Sequence, residues 1–156
     1  MKISDILTED LVVTGLGGKS KEEIIDAMID LVATSPKVKE KEKVRKAIFE
    51  REKIMSTGVG NGFAIPHGKT DAVTDIVAAF AVTAEPIDYQ SLDEKPVRLV
   101  FLLVGKDSLV GPHIKLLSRI SRLMNKEEFR KRLLDLKSPK EIIEMFKQEE
   151  ATYFEV

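Results

Sequence analysis

The chain has 156 residues, 43% of them apolar and 33% charged, which suits one globular domain (residues 1–156) with its own core and excludes a disordered segment. Its 25 Lys and Arg stand against 26 Asp and Glu with no cysteine, so a strongly basic nucleic-acid binder, a disulfide scaffold and a thiolate metal site are all excluded. The longest apolar run, Ile76 to Val82, is too short for a bilayer, and Met1-Lys2-Ile3-Ser4-Asp5 lacks the apolar core of a signal peptide; a cytoplasmic location without membrane insertion is expected.

Taken in chain order, Ser20 with Glu23 forms a capping-box pattern that opens a helix carrying Ile24, Ala27, Met28, Leu31 and Val32 on one face. A second helix, about Lys39 to Lys53, presents Val44, Ala47 and Ile48. Arg51 continues that face, and its spacing points it inward; a snorkelling arginine at a helix end satisfies the same pattern. The stretch Met55 to Gly68 holds four of the nine glycines, a density that means tight turns or close backbone approach. Ile76 to Thr83 and Val97 to Val104 are nearly continuous in apolar residues, as in strands buried on both faces, and Glu85 to Pro96 reads as a polar connection. A helix after Gly111 and Pro112 aligns Ile114, Leu117, Ile120 and Met124. A short one follows over Glu127 to Leu136, and Ser138-Pro139-Lys140-Glu141 starts a last helix through Ile142, Ile143 and Phe146. Helices around buried strands imply an α/β layered sandwich with a central sheet, whose strand order the sequence does not reveal.

The chemistry concentrates in the glycine-rich stretch. The only histidines, His67 and His113, each follow a proline. Pro66 restricts the backbone before His67, and Gly68 removes a side chain after it, which would let a bulky anion or a partner surface approach the ring. Near neutral pH much of a histidine population is neutral and nucleophilic. A transferring phosphoryl group needs chiefly positioning and positive potential. Arg51 and the backbone N–H groups at Gly58, Gly60 and Gly62 fit that need, and His113 offers a second ring donor. A strand-end His67 and a helix-start His113 without chemistry are the plain alternatives on pattern alone.

Other motifs fail. Gly68-Lys69-Thr70 ends like a phosphate-binding P-loop, but Phe63 stands where that loop needs glycine. Gly58-x-Gly60-x-Gly62 lacks dinucleotide-binding spacing. Two distant histidines without cysteine make a poor metal set, no cofactor is called for, and no serine sits in a nucleophile elbow. Asp88, Asp93 and Glu94 read as solvated loop carboxylates, and a histidine-dependent hydrolase lacks a second activating group.

The run Arg51-Glu52-Lys53-Ile54-Met55-Ser56-Thr57-Gly58-Val59-Gly60-Asn61-Gly62-Phe63-Ala64-Ile65-Pro66-His67-Gly68-Lys69 closely resembles the signature of enzyme IIA domains of the bacterial phosphotransferase system. The resemblance is to the fructose/mannitol class, which includes the nitrogen-regulatory branch. Pro86-Ile87-Asp88-Tyr89, Leu92-Asp93, Lys95-Pro96-Val97-Arg98-Leu99-Val100-Phe101-Leu102-Leu103 and His113-Ile114-Lys115-Leu116-Leu117-Ser118 extend it over nearly the whole chain. It implies a mixed central sheet flanked by helices. It also implies a phosphocarrier fed from phosphoenolpyruvate through an HPr-type protein, with His67 phosphorylated and Arg51 and His113 supporting it. Downstream, it implies a IIB component or a regulated protein as partner. Gly60-Asn61-Gly62 and the length lean toward the regulatory branch. Phe63, where the family usually has an aliphatic residue, is expected to reshape the surface near His67, and Pro112 to shift the His113 ring. The competing expectation is a regulatory binding module whose phosphorylation is absent or incidental.

Overall fold

The computed structural model describes residues 2–154. Its centre is an antiparallel pair, β5 (Val77–Ile87) and β6 (Val97–Gly105), in register from Val77 opposite Val104 to Val82 opposite Leu99. Side chains alternate across a strand, and here both alternating sets are apolar. Ala78, Phe80, Val82, Leu99, Phe101 and Leu103 face one cluster. Val77, Ala79, Ala81, Leu102 and Val104 face the other. A sheet apolar on both faces must be covered on both. The first face takes a single turn α1 (Ile3–Ile6) and helices α4 (Val110–Met124), α5 (Glu127–Asp135) and α6 (Pro139–Phe154). The second takes α2 (Lys21–Val32) and α3 (Lys41–Ile54). The result is the expected mixed sheet between helical layers.

The outer strands could not be read from sequence because they are short. β1 (Val12–Leu16) runs parallel to β5 along one edge. On the other side of β6 lie β3 (Phe63–Ala64) and β4 (His67–Lys69), both parallel to it, with β2 (Gly58–Gly60) outside β3. The β2–β3 turn is Asn61-Gly62, with φ of 58° and 83°, the pair of positive values a tight two-residue hairpin demands. Pro66 cannot donate to the ladder, and its carbonyl still accepts from Leu103 N–H at 3.0 Å. One interrupted strand therefore spans β6 and delivers His67 opposite Leu103.

Several expectations need correction. β5 continues through Pro86 and Ile87, because the hairpin re-pairs Ile87 with Val97 after an irregularity. In α2, Ile25 and Ile29 are buried while Ala27 and Leu31 sit at the margin. In α4 the buried stripe is His113, Leu116, Ile120, Leu123 and Met124, and Ile114 faces outward. Phe63 is buried in the core opposite Leu99, so it does not shape the surface near His67. Pro112 falls in the first turn of α4, where no intrahelical N–H is required, and the helix continues with His113 N–H bonded to the Leu109 carbonyl.

Phe146 is the hub of the first core, with Phe80, Phe129 and Phe101 edge-on at centroid distances of 5.2, 5.3 and 5.8 Å. Phe146→Ala is expected to cost about 3–5 kcal/mol, read from the midpoint shift in urea unfolding at unchanged slope.

Candidate active site

Strand alternation sets the local geometry at β4. His67 and Lys69 share one side, and Gly68 turns to the other. A Cβ on Gly68 would lie 3.1 Å from the Ala47 carbonyl carbon and 3.2 Å from the Ile48 nitrogen, so the space this glycine leaves is filled by the backbone of α3. It seats the helix that carries Arg51 against the strand that carries His67.

The His67 ring is half-buried, and its Nδ1 lies 2.7 Å from the Ile65 carbonyl oxygen. A carbonyl only accepts, so Nδ1 carries the proton and the Nε2 lone pair is left for chemistry. Burial is the largest effect on this ring and lowers its pKa below the ordinary histidine value; Arg51 and Lys69 push the same way, while the Ile65 carbonyl and Glu52 oppose. The ring is therefore held neutral with positive charge nearby.

His113 comes in from the first turn of α4, buried at 3% exposure. Its centroid is 6.0 Å from that of His67, with the planes at 52°. Gly105, opposite Lys69 in the ladder, makes room for it: a Cβ there would sit 2.5 Å from His113 Nδ1. That nitrogen has no hydrogen-bond partner among the described residues. Burial, with His67 and Lys69 adding to it, pushes the pKa down to about 4, so His113 too is neutral at physiological pH.

Arg51, at the C-terminal end of α3, donates from Nη1 to the Met55 carbonyl at 2.8 Å. It ties the helix end to the segment leading into β2 and contributes positive potential at His67. The structure thus gathers His67, His113 and Arg51. The glycines are placed otherwise. Gly58 N–H is bonded to Ser56 Oγ at 3.1 Å, and a side chain there would collide with Ser91 and Tyr89. Gly60 and Gly62 shape the hairpin turn at the Arg98–Leu99 end of β6. His67 pairs four residues further along, roughly 13 Å away.

Several residues at the site escaped sequence reading. Lys69 brings a second cation, legible only once β4 is known to be a strand. Glu52 is buried at 8% exposure. Its spacing of four and eight from Ile48 and Val44 marks the buried face, but a carboxylate there contradicts the usual pattern. Ile54 and Met55 at the end of α3, Val59 in β2, and Val110 and Ile114 on α4 are exposed apolar side chains. Exposed apolar side chains of this kind are available for protein contact.

The family model described as "Phosphoenolpyruvate-dependent sugar phosphotransferase system, EIIA 2" matches residues 5–149. The chain is 37% identical over 148 residues to the fructose-specific EIIABC component of Bacillus subtilis, a match that takes in 95% of this chain but only 23% of that protein. It is 35% identical over 133 residues to a nitrogen regulatory protein of Bradyrhizobium diazoefficiens, spanning 85% of this chain and 86% of that one. The crystal structure of nitrogen regulatory protein IIA-Ntr from Neisseria meningitidis superposes with a TM-score of 0.86 at 30% identity, over 92% of this chain and 98% of the other.

In an NMR titration, His113 is expected to protonate near pH 4 and His67 below the ordinary histidine value. The unfolded chain takes up these protons from about pH 6.5 downward, so both histidines withdraw stability as the pH falls through that window, for His113 until about 4. Gly68→Ala is expected to cost about 1–3 kcal/mol, because α3 must lift off β4. Chemical-shift changes should spread from Ala47 to Arg51 and His67.

Proposed function

The chain belongs to the EIIA 2 family of the phosphoenolpyruvate-dependent sugar phosphotransferase system, and we propose that residues 1–156 act as one cytoplasmic phosphocarrier domain that accepts a phosphoryl group on His67 Nε2. The donor is an HPr-type phosphocarrier. The group then passes to a IIB-type partner or serves, as phosphohistidine, as a signal to a regulated protein.

The observation that carries this reading is the 2.7 Å contact of His67 Nδ1 with the Ile65 carbonyl, which selects Nε2 as nucleophile. In the transfer, the Nε2 lone pair attacks the donor's phosphorus in line. The new N–P bond forms as the donor's N–P bond breaks, and that electron pair returns to the donor's imidazole nitrogen. The proton on His67 Nδ1 stays in place, and the positive charge the ring gains is met by the Ile65 carbonyl. Arg51 and Lys69 face the phosphoryl oxygens, and the neutral His113 adds one ring donor without a charge penalty. A phosphoryl group left on the ring brings about −1.5 to −2 of charge to the surface at His67. Phosphorylation would thereby change which partner surface fits.

The second reading is a regulatory module acting mainly through protein contacts. It draws on the exposed apolar side chains and on the nitrogen regulatory relatives. The fructose-specific relative supports the transport reading, with A, B and C joined in its name.

Intact-protein mass spectrometry under mildly alkaline conditions, after incubation with phosphoenolpyruvate, enzyme I and HPr-type carriers, tests the carrier role. One acid-labile phosphoryl adduct is expected, absent in His67→Ala. Arg51→Ala should slow its formation by about 10²-fold. A His67→Ala protein that still acquires a phosphohistidine adduct overturns the assignment, and no adduct with any matched carrier favours the regulatory module.

A further inference from the structure

On the buried face of α3, one residue after Arg51, Glu52 centres a buried charged cluster. The Glu52 carboxylate receives four donors: Thr57 N–H at 2.8 Å, the Thr57 hydroxyl, Tyr89 OH at 3.3 Å and Lys21 Nζ at 2.7 Å. Thr57 Oγ1 and Tyr89 OH are also 3.0 Å apart, and Lys21 Nζ lies 5.0 Å from the centre of the Tyr89 ring. Tyr89 is fully buried, and its pKa is pushed up by burial first and by the Glu52 charge next, so its hydroxyl keeps its proton and donates.

A buried ion pair is costly unless its hydrogen bonds are satisfied, and the same space filled by apolar side chains is often at least as stable. This one ends in a path to the reactive ring. Thr57, clamped by Glu52, offers its carbonyl to Ile65 N–H at 3.0 Å. Ile65 in turn offers its carbonyl to His67 Nδ1 at 2.7 Å. The residue that fixes the proton on His67 is therefore held through a single intervening residue by the buried carboxylate. Arg51, next to Glu52 on α3, grips the same segment two residues earlier through the Met55 carbonyl.

We infer that Glu52 is a positioning residue: by clamping Thr57 it sets the Ile65 carbonyl, which holds His67 with its proton on Nδ1 and Nε2 free. This rests on the proposed role of His67 as phosphoryl acceptor. Lys21 compensates the carboxylate where water cannot. Among the described residues, the charged and titratable groups acting on the His67 ring are Arg51 and Glu52 from α3, Lys69 from β4 and His113 from α4, so Glu52 supplies the negative charge among them.

The test compares wild type, Glu52→Gln and the double variant Lys21→Met/Glu52→Gln, which removes both buried charges and leaves no orphaned ammonium. Three quantities are read: thermal stability, the tautomer of His67 from the nitrogen shifts of its imidazole, and the rate of phosphoryl acceptance. Wild type is expected to show the Nδ1–H form. In both variants that form should give way to a mixture, and the rate should fall about 10-fold or more, as when the outer partner of a functional histidine is removed. The double variant should regain stability relative to Glu52→Gln without regaining rate or tautomer. Recovery of all three together would make the cluster a purely structural one and overturn the inference, as would a folded Glu52→Gln protein with wild-type tautomer and rate. If wild type itself takes no phosphoryl group, the carrier reading falls, while the tautomer comparison still decides the role of Glu52.

Discussion

The ladder between β5 and β6 commits nearly every apolar side chain of two strands to one helical layer or the other, and the rest of the molecule is arranged around that commitment. Because both faces are apolar, neither can meet water, and helices must close over each. Because β5 takes one edge of β6, only the other edge is open to the interrupted strand β3–Pro66–β4. The candidate site forms where that strand ends. It gathers a histidine from the sheet edge, a histidine from the helix that follows β6 and an arginine from the helix packed over Gly68. Each belongs to an element whose position the core already determines, which is how three residues 16 and 46 positions apart in the chain hold a common geometry.

Electrostatics at this place work by contrast between neighbours. Arg51 and Lys69 are positive, the two imidazoles are neutral because they are buried, and Glu52, the carboxylate that acts on His67 among the described residues, is fully bonded. Two charged imidazoles with centroids 6.0 Å apart would repel each other and the adjacent cations; burial avoids this by keeping both neutral. The neutral rings leave a nucleophilic lone pair inside a positive field, the combination that a doubly negative phosphoryl group requires. Burying Glu52 would cost several kcal/mol without partners, yet four donors meet it, and two of those belong to the segment that leads toward His67.

How far the site could be read in advance depended on what each residue's neighbours do. The Arg51 to Lys69 run carried the resemblance, so Arg51 and His67 were legible directly, and His113 through a second matching stretch. The glycines were legible as a cluster but not individually. Gly68 faces α3, while Gly60 and Gly62 serve a hairpin at the far end of the strand, and a contact made by a missing side chain leaves no trace in sequence. His113 opens the buried stripe of α4. Reading apolarity alone put Ile114 in that place, because a histidine is not counted as a core residue even where its ring packs as one. Glu52 was hidden for the same reason.

The apolar runs at Ile76 to Thr83 and Val97 to Val104, the caps at Ser20 and Ser138 and the helical spacings were enough by themselves to establish two buried strands between helical layers. These signals are local: hydrophobic period and capping chemistry act within a few residues and survive whatever the rest of the chain does. Strand order, the two- and three-residue strands beside β6, the seating of α3 on Gly68, the meeting of His67 with His113 and the partners of Glu52 were decided only by the tertiary structure. Each is a contact between segments far apart in the chain. A short edge strand in particular has no period of its own, being extended only because β6 offers it hydrogen bonds.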